Sequence, residues 1–116
     1  MKVVGYREID PVHIESDVAK GVAGRVLIGK KDGADHFCMR LFELSPGGYT
    51  PKHAHDWEHE IFVHAGRGEV CLGGRWHGIT GGTAVFVPAK KDHQVRNVGE
   101  DPLVFVCLIP SGAPEL

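Results

Sequence analysis

A chain of 116 residues, 42% hydrophobic and 24% charged, has the length of one soluble domain, able to bury roughly two thirds of the surface its unfolded form exposes. Its formal net charge of -2 builds none of the basic field that nucleic acid or an anionic lipid surface requires, so the expected partner is a small molecule, with no nucleic acid and no membrane. The first ten residues carry charges where a signal peptide needs an apolar run, and no stretch approaches about 20 apolar residues, which makes a cytoplasmic location the default expectation.

Residues 1–23 hold two strand-like runs, at 3–6 and 11–14, and a turn of helix is expected near 16–20. Short runs rich in Val, Ile, Phe and Leu follow at 24–28, 36–44, 60–65, 69–72, 75–80, 83–87, 93–98 and 103–109, separated by Gly- and Pro-bearing segments. That spacing predicts an all-β sandwich or barrel. Ser45-Pro46-Gly47-Gly48 has Pro and Gly at the two central positions a type II turn prefers, which predicts a chain reversal just before the histidine-rich segment. The tail, residues 111–116, is expected to fray. Cys38, Cys71 and Cys107 are odd in number and sit in apolar runs, so each reads as a small buried hydrophobe rather than half of a disulfide.

The chemistry-bearing residues are His53, His55 and His59, with His93 far downstream. On an extended strand, side chains an even number of positions apart share a face, so the first three point one way and His93 can join them. A helix would separate His53 from His55 by roughly 200°. Four neutral imidazoles suit one divalent transition-metal ion per chain (Mn, Fe, Cu, Ni or Zn) and disfavour Mg and Ca, which take oxygen ligands. His13, His36, His64 and His77 read as surface or interface residues, and Glu58 and Glu60, flanking His59, should point away from the metal.

The pattern of Gly47, five residues, His53, one residue, His55, three residues, His59, six residues and Gly66 resembles the first cupin motif. Gly82, five residues, Pro88, then His93 and, after three more, Asn97 resembles the second. Two departures stand out: His59 replaces the usual Glu, and Lys90 replaces the usual Gly. The first is similar to the branch of small single-domain cupins whose metal is held by four histidines. The resemblance implies a jelly-roll barrel (a double-stranded β-helix, RmlC-like) over residues 24–110, and a homodimer in which the N-terminal strand segment 1–23 is swapped onto the partner's sheet. It also implies a pocket. Val95 shares the face of His93, Cys107 shares the face of Phe105, and Thr50 precedes the histidines, so these four would wall it. Arg40, a charge inside an apolar strand, is either an interface or edge residue, or a pocket cation that fixes a carboxylate or stabilises an oxyanion; the resemblance favours the pocket. Adjacent open positions on an octahedral metal would allow oxygen or Lewis-acid chemistry. The resulting expectation is a metal-dependent, dioxygenase-like oxidoreductase acting on a small organic substrate. An isomerase or lyase, for which the pocket shows no convincing general base, and a non-enzymatic ligand-binding protein are the alternatives.

Overall fold

A computed structural model describes residues 1–116. Nine strands follow one another: β1 (Val12–Ile14), β2 (Lys20–Ile28), β3 (Phe37–Tyr49), β4 (His59–Ala65), β5 (Arg67–Leu72), β6 (Arg75–Thr80), β7 (Ala84–Val87), β8 (His93–Asn97) and β9 (Leu103–Pro110). Each strand run expected from residue 24 onward falls on one of them. All pairings are antiparallel, in the order β6-β5-β8-β3-β9-β4-β7, with β2 on the other side of β3 and β1 on β2. The fold is an all-β, curled barrel of one domain.

Alternation decides which side chains face inward. In β4 the buried residues are His59, Ile61 and Val63, while Glu60, Phe62 and His64 are exposed. In β8 they are His93, Val95 and Asn97, and in β9 Leu103, Phe105, Cys107 and Ile109 lie inside. Leu44, Val63, Val87 and Leu103 are wholly buried at the centre. The apolar core thus occupies the same interior as the inward histidines and ends where they begin.

Three local expectations are corrected. No helical turn forms at 16–20, because the Val18 amide bonds the Ser16 hydroxyl and the chain enters β2 at Lys20; short 3-10 turns occur instead at Tyr6–Glu8 and Lys30–Asp32. Residues 3–5 form no strand. Ser45–Gly48 does not reverse the chain. Gly47 takes the left-handed φ of 80° that a type II turn needs, but Tyr49 then re-pairs with Lys20 of β2, so the turn is a bulge within β3. Beyond it β3 reaches β8, where Tyr49 lies opposite Arg96.

Two second-motif residues shape backbone. Asn97 donates to the carbonyls of Leu44 (2.9 Å) and Asp101 (2.8 Å) and accepts from the Gly99 amide, stitching β8 to β3 and to the turn before β9. Lys90, where the motif usually has Gly, has φ of 66°, the one positive φ outside glycine. The turn keeps its left-handed geometry despite the side chain, and the Lys90 amide donates to the His55 carbonyl at 2.6 Å. That bond ties the second motif to the histidine loop.

The N-terminal strand β1 lies along β2 of its own chain, with Ile14 opposite Val22. Residues 111–116 fold back: the Glu115 carboxylate accepts from the Lys30 amide and its main-chain carbonyl accepts from Arg40. Cys38, Cys71 and Cys107 are buried and unbridged. No helix is long and apolar enough to cross a membrane.

Candidate metal centre

His59 and His93 open β4 and β8 and are 6% and 5% exposed. His53 and His55 reach the same point from a loop rather than from the extended strand the sequence predicts. Pro51 has no amide to give a ladder, and the segment from 50 to 58 keeps only one bridge, in which His53 and His93 exchange main-chain bonds of 3.1 and 3.0 Å. The four rings nevertheless converge. One nitrogen from each lies within 4.8 Å of the other three. A metal bonded at about 2.1 Å would span at most about 4.2 Å between opposite ligands, so adjustments of a few tenths of an ångström close the set.

Three of the imidazoles are pre-set as ligands. Nδ1 of His53 donates to the Pro51 carbonyl (2.8 Å), that of His55 to Trp57 (2.8 Å) and that of His93 to Lys91 (2.9 Å), which fixes the tautomer and leaves Nε2 bare toward the centre. Trp57 also stacks on His55, with ring centroids 4.4 Å apart and planes 4° from parallel. His59 differs. Its Nδ1 faces Arg40 Nη2 and Cys107 Sγ, both at 3.2 Å, and its Nε2 lies 2.5 Å from His55 Nε2. A guanidinium only donates, so the Arg40 contact needs a lone pair on Nδ1 and a proton on Nε2. Holding an ion through Nε2 would instead require the proton on Nδ1, where Cys107 Sγ could accept it and the Arg40 bond to the ring would be given up; Arg40 donates to the same sulfur at 3.1 Å.

A cavity of about 120 Å³ opens beside the cluster. Thr50, Val95, Phe105 and Cys107 line it, as do Arg40, His53, His59 and His93. Sequence reasoning missed Ile14, Val22, Phe42, Pro51 and Ile61. Phe42 and Ile61 were within reach, each standing two residues from a singled-out inward residue. Glu58 and Glu60 are exposed and border a different, outer groove with His36 and Phe37.

Burial holds the His59 imidazole down to about 3, with the Arg40 charge as the next cause, and burial likewise lowers His55 and His93. All three are therefore neutral at pH 7 and need shed no proton to bind a cation. The sign for stability follows: the unfolded chain, with imidazoles near 6.5, takes up protons before the folded one does, so acidification favours unfolding. In a thermal melt series the metal-free protein should lose stability steadily as pH falls from about 6.5 toward 4. A flat Tm across that window would contradict the burial of these rings.

The cupin domain family matches residues 40–109. The chain belongs to the cupin family. Among solved structures this cupin resembles the polyketide cyclase RemF from Streptomyces resistomycificus, with a TM-score of 0.90 and 34% identity over 98% of this chain and 82% of that one. It is 27% identical to the polyketide synthase protein CurC of Streptomyces cyaneus over 98% of its own length and 72% of CurC. It is also 28% identical to the 1-methylthio-D-xylulose 5-phosphate methylsulfurylase of Rhodospirillum rubrum over 61% of the chain, spanning 46% of that protein.

Proposed function

We propose that this cupin is a metal-dependent enzyme that closes a ring in a β-dicarbonyl chain by an aldol-type addition, as a polyketide cyclase would. The observation that carries this reading is the likeness to RemF, extending over nearly the whole chain. His53, His55, His59 and His93 would hold the ion, and its place in the chemistry is Lewis acidity toward a carbonyl oxygen.

What the chain itself supplies is a largely apolar wall and one cation. Ile14, Val22, Phe42, Val95 and Phe105 exclude water from a folded substrate and hold its reacting carbons near each other. None of the cavity's residues is Asp or Glu, so the substrate must be a carbon acid strong enough to be activated without a carboxylate base. A methylene flanked by two carbonyls meets that condition. In the addition the enolised methylene carbon bonds to a carbonyl carbon of the same molecule, and the proton it gave up ends on the new alkoxide; no oxidant is consumed. The dioxygenase-like reading uses the same centre, and oxygen separates the two.

The test loads the protein separately with Zn, Mn and Fe(II) and supplies a short tethered triketone. A ring-closed product, lighter by one water after dehydration and formed equally without air, is the expected result. Oxygen uptake in step with turnover would assign the protein to oxidative cleavage instead, and saturable binding with no product in any metal form would make it a ligand-binding cupin.

A further inference from the structure

Arg40 stands on the inward face of β3 and is 8% exposed, yet no carboxylate pairs with it. Nη2 meets an imidazole nitrogen and a thiol, Nη1 donates to a main-chain carbonyl of Glu115 at 3.3 Å, and Nε has no partner at all. The Phe42 ring, 5.0 Å from the guanidinium carbon, offers only its π face. Arg40 is absent from the four ion pairs of the molecule. The Glu115 carboxylate, the acid nearest along this edge, is bonded to the Lys30 amide.

A buried ammonium or imidazole could escape such surroundings by shedding its proton. A guanidinium cannot, so the charge stays, held only by neutral partners at bonding distance. The centre beside it only adds to the imbalance. Four neutral imidazoles bring no negative charge to a cation, Arg40 lies one imidazole's width behind His59, and the cavity that both border has no carboxylate in its lining. Both positive groups border one small apolar space.

We propose that this space is an anion receptor, and that Arg40 selects the ligand in its ionised form, as the enolate of a 1,3-dicarbonyl compound. The charge of an enolate is shared by two oxygens, which fits a space bordered by both the Arg40 guanidinium and the histidine centre. Arg40 is then a specificity-determining residue, with the ligand supplying the counter-charge the fold leaves out. The inference rests on the metal-centre reading for the second positive group, but does not depend on which reaction follows.

The experiment is equilibrium binding to the zinc-loaded protein, read by calorimetry, so that it reports whether or not any product forms. Trifluoroacetylacetone, ionised at neutral pH, is compared with an acetylacetone dimethylated at its central carbon, which cannot become an enolate. The wild type should prefer the enolate by at least about tenfold, and Arg40→Met should lose about tenfold or more on the enolate while binding the neutral diketone unchanged. Arg40→Lys should keep part of the preference. Repetition on the metal-free wild type separates the two charges, and a reduced preference should persist there. Equal wild-type affinity for the two probes overturns the proposal even if the methionine variant does not fold. So does an Arg40→Met variant that binds the enolate as the wild type does, or a preference that vanishes with the zinc.

Discussion

His59→Ala is expected to cost roughly 100-fold or more in metal affinity, beyond the 10–100-fold that changes to a ligand's outer partners cost, and to abolish stoichiometric metal in the purified protein. His59 is a deeply buried member of the cluster, and it also links the centre to Arg40 and Cys107. Elemental analysis after dialysis reads the first effect, and the loss of the rise in Tm that metal gives the wild type reads it independently. The control is His77→Ala: His77 is exposed on β6, so metal content should be unchanged and stability should move by no more than about 0.5 kcal/mol. The variant should also respond differently to acid. Removing the imidazole most strongly held in its neutral form should flatten the fall of metal-free stability below pH 6.5, so the two curves draw together as pH drops. A His59→Ala protein that retains one ion per chain would show that three imidazoles suffice and that His59 belongs to the wall instead.

Much of the site was legible because its parts alternate on true strands. In β4, β8 and β9 the period of two that orders the core also orders His59, His93, Val95, Phe105 and Cys107, so one rule places both packing and chemistry. The histidine loop shows where that rule misleads. His53 and His55 have a strand's spacing, but Pro51 removes a donor, and bonds from ring nitrogens to the carbonyls of Pro51 and Trp57 set the backbone there. The rings meet for a different physical reason than the one their spacing suggests. Ile14 and Val22 were illegible as cavity residues because they arrive through the β1–β2 pairing against β3, a non-local contact with no mark in either segment. Arg40 lies between. Alternation puts it inside with Cys38 and Phe42, but only three-dimensional placement shows that no acid meets it.

Gly66→Ala should be among the most destabilising single-methyl changes in the molecule, costing about 3 kcal/mol or more in urea unfolding, while Gly82→Ala should cost only about 1–2 kcal/mol. Both are motif glycines with nearly equal φ, 90° and 93°, so a side chain at either carries left-handed strain. Their surroundings differ. A Cβ on Gly82 meets nothing within 4 Å, whereas one on Gly66 would sit 2.4 Å from the Pro102 carbonyl oxygen and 2.8 Å from the Leu103 Cα. Those are main-chain atoms at the start of β9 and cannot swing aside as a side chain could. Relief requires β9 to move, and β9 carries Phe105 and Cys107 into the cavity while pairing with both β3 and β4. Gly66→Ala should therefore weaken ligand binding as well as folding, and Gly82→Ala should leave binding intact. Equal losses of stability in the two variants would mean that β9 yields to the methyl group at no cost, and that strain alone fixes glycine at both positions.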